Sequence, residues 1–401
     1  MVPNFLKNSY PLNKQYLLIP RFALRILGFY PESEWNVWLK SWAFFNISIL
    51  AYGCYAELYY GIYYLPIDIV MSLDALCPVA SSIMSFIKIF FIWWYREQYK
   101  QLIEEVRRLT EAQNTLRKEK MKRWYFTIAT RLTALVLFFG LCCSTSYSIR
   151  PILTNTLLYL NGKDIVYETP FKMMFPEPLL AMPIYPITFL LVHWHGYITV
   201  LSFVAGDGLF LGFCFYFSTL LKALQQDLTE VLGVIDDRET KKYRKLTESE
   251  KVMSLSKIIR RHNEIADLTM KLSSIMVEIT LCHFITSSVI IGTSVIDLLL
   301  FAGGYGSIVY IVYTCAVLSE IFLYCLGGTA VIESSQELAV KAYTSNWYGQ
   351  SVRIQKMVLL IIVRSQRHFV VKVPFFTPSL PALTAILRFT GSVIALVKSM
   401  I

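Results

Sequence analysis

The chain has 401 residues, of which 55% are hydrophobic, 15% aromatic and only 16% charged. A soluble chain carries about 25% charged residues, so a water-exposed globular domain is excluded and the apolar surface must meet lipid or other membrane helices. The net charge is +10, but 28 of the 38 basic residues lie in four linkers between apolar stretches, which points to anionic inner-leaflet lipid and away from nucleic acid.

Residues 1–40 carry five Lys/Arg, and the first ten lack the basic-then-apolar pattern of a secretory signal, so insertion is expected to start at the first span. Apolar stretches follow at 41–62, 73–95, 127–149, 186–217, 272–298, 306–332 and 376–397. Each reaches the roughly 20 residues that a helix needs to cross a bilayer. The linkers alternate in basic content. Segments 96–126, 218–271 and 333–357 hold nine, eleven and three Lys/Arg, whereas 63–72 and 297–307 hold none and 150–185 holds three. Basic linkers stay cytoplasmic. The pattern therefore predicts an all-α membrane protein with seven transmembrane helices, its N-terminus cytoplasmic and its C-terminus extracellular. A G-protein-coupled receptor has the reverse orientation.

The fourth to sixth stretches are long enough to continue as helices into the cytoplasm. Within 222–271, apolar residues at near-helical spacing predict two helices separated by a charged loop from Asp236 to Glu250. Their stripes need cover, either from the same subunit or from a neighbouring one. Segment 353–372 has an apolar run of only seven residues, Met357 to Val363, with basic residues on both sides. It is expected to be a cytoplasmic helix that ends before Pro374, the last span starting near Phe376. The sequon Asn46-Ile47-Ser48 falls inside the first span, and the outer segment 150–185 has no cysteine to staple it. No internal repeat marks the inverted halves of a transporter.

Enzyme signals are weak. His193 and His195 flank Trp194 at i, i+2, which points them to different helix faces, so no metal site is expected. The intramembrane ionisable residues Lys88, Arg131, Asp207, Glu278 and Glu320 all fall in the cytoplasmic halves of their helices and form no relay across the bilayer. Snorkelling or burial in the inner bundle accounts for them. The outer halves are nearly free of charge. Candidate ligand contacts there are Ile83 on the second span; Phe138, Cys142 and Thr145 on the third; Phe189, His193 and Tyr197 on the fourth; and Tyr310, Tyr313 and Thr314 on the sixth. On the third and fourth spans the spacing is helical, so each set shares a face. A cavity lined this way suits a small apolar molecule, oriented by one or two hydroxyls. The competing reading is ordinary helix packing. Arg388 on the last span either snorkels, pairs within the bundle or faces a conduction path.

At this point the chain resembles an insect odorant receptor. The resemblance rests on Leu24 to Pro31 before the first span and, more specifically, on an ordered C-terminal series. That series comprises Gly327-Gly328, Glu333-Ser334, Ala342-Tyr343, Asn346-Trp347-Tyr348, Arg364 to Arg367 and Ala385 to Ser392. It implies an odour-gated, non-selective cation channel in the plasma membrane of sensory dendrites. Such subunits assemble as heterotetramers with a shared co-receptor and use no cofactor. The resemblance assigns 218–271 and 333–372 to a cytoplasmic anchor within one seven-helix domain spanning 1–401, and 376–397 to the pore-lining helix. By position, Ser392, Ala395 and Lys398 match its pore and outer gate. Lys398 departs from the neutral polar residue expected there, and four lysines around a cation pore would repel its ions.

A gustatory receptor shares this architecture, but its Thr-Tyr…Gln-Phe type ending is missing after Phe389. A G-protein-coupled receptor would need an outside N-terminus and an acid–arginine pair at the inner end of the third span, where Thr127 and Arg131 stand.

Overall fold

The computed structural model describes residues 16–111, 116–233, 246–300 and 305–400. They form a bundle of long helices: α1 (Leu18–Leu27), α2 (Val37–Tyr64), α3 (Ile69–Trp94), α4 (Arg96–Glu111), α5 (Leu116–Leu160), α6 (Tyr185–Leu232), α7 (Glu248–Leu300), α8 (Tyr305–Tyr343), α9 (Val352–Gln366) and α10 (Leu380–Met400). A helix overlies most or all of each of the seven predicted spans. Among the described residues, five helices are long and apolar enough to cross a membrane, at Met71–Trp94, Leu116–Leu160, Tyr185–Leu232, Glu248–Val295 and Tyr310–Tyr343.

α6 is the central post. It packs against α1, α2, α3, α5, α7 and α8, and 83% of its most apolar stretch is buried. Its 48 residues span about 70 Å at 1.5 Å per residue, more than twice the roughly 30 Å hydrocarbon thickness. The overlong fourth to sixth stretches therefore continue as single helices. The first of the two helices expected in 222–271 is the end of α6, and the second is the start of α7. Most of the charged loop between them, 234–245, lies outside the described residues.

α1 was not predicted. It is amphipathic, burying Ile19, Ala23, Leu24 and Leu27. Gly208 and Gly212, one turn apart on α6, admit Pro20 and Leu17; a side-chain carbon at either glycine would lie 2.5 Å or less from them. Gly28, at φ 86°, caps α1 in the left-handed conformation that glycine adopts without strain. Beyond it, Glu32 accepts hydrogen bonds from Tyr30 and, at 2.6 Å, from Arg107 on α4. Burial and the Glu32 partner push the Tyr30 hydroxyl up to about 12.

α5 corrects the third predicted span, 127–149. It runs 45 residues, from Leu116 to Leu160, so segment 150–185 begins as helix and leaves it only after residue 160. Pro151 is accommodated within it, and Thr154 and Thr156 bond back to carbonyls four residues earlier. The helix stops where Asn161 and Gly162 (φ 66°) supply a turn. The last helix also starts later than predicted. An isolated bridge between Val373 and Phe376 and the prolines at 374 and 378 delay it to Leu380. As expected, α9 is a short separate helix, ended by Gln366. Asn46 of the sequon is buried in α2, accepting from Trp194 at 3.0 Å and donating to the Leu27 carbonyl at 3.3 Å.

Candidate functional site

Two polar clusters and one apolar cavity occupy the middle of the bundle. The cavity, about 70 Å³, is walled by α2, α3, α5, α6, α8 and Phe171 of the 161–184 segment. Valines 136, 200, 204 and 317, with Phe203 and Ala316, make most of the wall apolar. Gly140 and Gly196 hold the helices close: a side-chain carbon at 140 would lie 2.7 Å from Val200, and one at 196 would lie 2.5 Å from the Ser144 hydroxyl.

One wall is polar. Ser82 donates to Glu57 Oε2 at 2.8 Å and lies 3.1 Å from His195 Nε2. Glu57 Oε1 is 3.4 Å from the same nitrogen. Glu57 and His195 are both buried. Sequence reasoning passed over Glu57, although a carboxylate inside a predicted span was a usable signal. It also passed over Asp74, which pairs with Arg150 at 2.9 Å and accepts from Tyr310 at 2.6 Å. On the far side of His195, an apolar groove of about 400 Å³ opens between α2, the 161–184 segment and the first turns of α6.

The second cluster lies at the opposite end of the cavity. Lys88 Nζ sits 2.5 Å from Asp207 Oδ1, with both side chains fully buried, and 3.7 Å from the centre of the Phe203 ring. Glu320 belongs both to the cavity wall and to this cluster: polar atoms of Asp207, His283 and Glu320 lie within 4.8 Å of one another. These donors resemble a metal site, but the Lys88 ammonium already supplies a cation to Asp207. Lys88, Asp207 and Glu320 are thus buried in the bundle. Arg131 is exposed and Glu278 is half-buried.

Of the ten predicted ligand contacts, the cavity wall contains Tyr313, which donates to the Cys77 carbonyl at 3.1 Å and meets the Ser81 hydroxyl at 2.6 Å. Ile83 is exposed, beside the cavity residues Ser81 and Ser82. On α5 the wall is built by Val136, Gly140, Cys143, Ser144 and Tyr147. These lie about half a helical turn round from Phe138, Cys142 and Thr145, and Phe138 is 59% exposed. Phe189, His193 and Tyr197 are half-buried on a neighbouring face of α6; His193 Nδ1 meets the Ser148 hydroxyl at 2.6 Å. Tyr310 is tied to Asp74, and Thr314 to Ser294 at 3.0 Å. On α10, Arg388, Ser392 and Ala395 are exposed, facing away from the rest of the chain. The side chain of Lys398 lies outside the described residues.

Long apolar helices around a central buried post, with an apolar cavity between them, define a multi-pass membrane protein. Residues 68–391 match the family described as 7tm Odorant receptor. Odorant receptor 24a of Drosophila melanogaster is 57% identical over the whole of both chains. Odorant receptor 10a of the same fly is 34% identical over 98% of each. The insect olfactory receptor OR5 from Machilis hrabei in complex with eugenol superposes with a TM-score of 0.78, covering 97% of this chain and 98% of that one at 14% identity. The chain belongs to the insect odorant receptor family and is not an enzyme. That assignment decides against the gustatory and G-protein-coupled alternatives.

Proposed function

We propose that this chain is the odorant-binding subunit of a heteromeric, odour-gated, non-selective cation channel. The observation that carries this is the cavity between α2, α3, α5, α6 and α8. The alternation of basic linkers between the predicted spans supports a cytoplasmic N-terminus, and with that orientation the cavity falls in the outer half of the membrane. Exposed Trp38, Trp94 and Trp124, at ends of α2, α3 and α5 beside the basic linkers, fit the inner interface. Epitope tags on the two termini, probed on intact cells, are expected to reveal the C-terminal tag alone; an exposed N-terminal tag overturns this topology.

Filling an apolar cavity gains roughly 25 cal/mol per Å² of ligand surface buried. That energy opens a pore only to the extent that the ligand prefers the open state. The route to the pore runs along α8. Tyr313, Ala316, Val317 and Glu320 touch the cavity, and roughly two turns further Thr329 accepts from the Leu380 backbone at 2.9 Å, where α10 begins. α10 then exposes Arg388, Ser392 and Ala395, the face we assign to the pore, with Lys398 at its outer end. α9 buries Ile354, Val358 and Ile361 while leaving Val352, Leu359, Leu360 and Val363 exposed. This second apolar face suits a neighbouring subunit in the cytoplasmic anchor.

The pocket assignment is tested by filling it. Ala316→Leu, buried at the wall, is expected to raise the half-maximal odorant concentration about tenfold, while Phe138→Ala, on the outward face, leaves the dose–response curve in place. The reverse result would move the pocket to the Phe138, Cys142 and Thr145 face of α5. The channel assignment is tested by patch clamp of cells expressing this chain with and without the co-receptor. Because Lys398 would crowd four positive charges around a homomeric pore, odour-gated current is expected only with the co-receptor. Robust cation current from this chain alone would sink that reading.

A further inference from the structure

Two hydroxyls of the cavity wall find no hydrogen-bond partner, those of Ser144 and Tyr147. A third wall atom, Glu57 Oε1, has only the 3.4 Å approach of His195 Nε2. All three residues are at least nine-tenths buried. An orphaned buried polar atom costs about 1–3 kcal/mol, so a ligand that satisfies these three gains over one that leaves them dry. Ser144 and Tyr147 are a turn apart on one face of α5, and Gly196 opposite them leaves the Ser144 hydroxyl room that any side chain would take. The Tyr147 ring is held by stacking on Phe171, with ring centres 5.0 Å apart. Its hydroxyl is therefore positioned without being bonded.

We infer that the ligand of this subunit carries a hydroxyl group, as an alcohol or phenol, on a compact apolar body; the inference rests on the odorant-receptor reading above. Glu57 Oε1, left without a hydrogen-bond partner, is matched by a ligand O–H donor. The hydroxyls of Ser144 and Tyr147 donate to the same ligand oxygen. A carbonyl compound satisfies the two donors and leaves Glu57 wanting, and a hydrocarbon satisfies none. A site built to hydrogen-bond a hydroxyl discriminates far more sharply than a methylene-sized change in an apolar pocket. The resulting order is alcohol, then ketone, then hydrocarbon.

The test uses matched pairs: 2-phenylethanol with n-propylbenzene, and 1-octanol with n-nonane. They are applied to cells expressing this chain with the co-receptor, which also open to a direct co-receptor agonist. In at least one pair the alcohol is expected to activate at a concentration tenfold or more below its hydrocarbon partner. Tyr147→Phe and Ser144→Ala delete only unpartnered hydroxyls and should leave surface levels unchanged. Each is expected to raise the half-maximal concentration of the alcohol by about tenfold and leave that of the hydrocarbon in place. Glu57→Gln, which keeps the volume, should narrow the gap between alcohol and ketone, read with 2-phenylethanol against phenylacetone. Equal potency within the pairs, or variants that shift both members alike, overturns the hydroxyl assignment. So does silence to all four compounds in cells that still answer the co-receptor agonist, and that outcome leaves the channel reading intact. Absence of current to the co-receptor agonist as well overturns the channel reading itself.

Discussion

Lys88→Met alone is expected to remove most of the receptor from the cell surface. The substitution takes the only ammonium from a fully buried cluster that holds Asp207 at 2.5 Å and, within reach, Glu320. Breaking a buried ion pair from one side costs about 3–5 kcal/mol, because the partner is left charged and dry. A membrane protein of ordinary marginal stability does not absorb that loss. Asp207→Leu alone is expected to fail similarly by orphaning Lys88. The double variant, Lys88→Met with Asp207→Leu, replaces the pair with apolar volume and should recover much of the lost surface signal, since buried pairs add little over well-packed hydrophobic residues. Surface biotinylation of the four genotypes measures this as a double-mutant cycle. Strictly additive losses would mean that the two residues are not coupled, and that the pair is incidental to stability.

Gly328→Ala is expected to abolish odour-gated current more completely than it reduces surface expression. A side-chain carbon at 328 would lie 2.0 Å from the Pro378 carbonyl oxygen. That obstacle is backbone and cannot rotate away. Either α8 or the segment leading into α10 must shift, at about 3 kcal/mol, the upper end for an overpacked site. The contact sits beside the Thr329–Leu380 hydrogen bond that joins α8, which lines the cavity, to the start of α10, the helix we propose lines the pore. Gly327→Ala should be milder, because its nearest neighbour is the Cys214 side chain at 3.2 Å, and Gly349→Ala, with nothing within 4 Å, should be neutral. Current normalised to surface protein is the measurement. Wild-type current from Gly328→Ala would remove this contact from the gating path.

Basic linkers and apolar runs were enough to locate every long helix, because lipid imposes length and the inner leaflet imposes charge. They were also enough to separate α9 from the spans. α1 and α4 escaped notice because each is polar on one side and too short to register as a span. α5 was cut short at 149 because Arg150, paired with Asp74, reads in isolation as the start of a loop. The cavity faces were harder for a different reason. A bundle helix meets lipid on one side and protein on the other, and both are apolar, so periodicity finds a stripe without saying which way it points. On α5 the stripe of large residues around Phe138 faces outward. The small and hydroxyl residues Gly140, Cys143 and Ser144 face in, as close helix packing in membranes favours. Tyr313, buried at 8% exposure, was legible because α8 has a polar side there.

The burial of α6 also bears on how the receptor is made. During synthesis α6 leaves the insertion machinery before α7 and α8 exist, so the side they later cover faces lipid or the machinery itself. It carries Asp207, whose placement in hydrocarbon costs about 2.5–3.5 kcal/mol on insertion scales. Lys88, 119 residues earlier, is already in the membrane and can neutralise that charge at once. Glu320 arrives only with α8. In chain order, then, the partner of Asp207 precedes it and the cover of α6 follows it, so the ion pair does not depend on α7 or α8 being present.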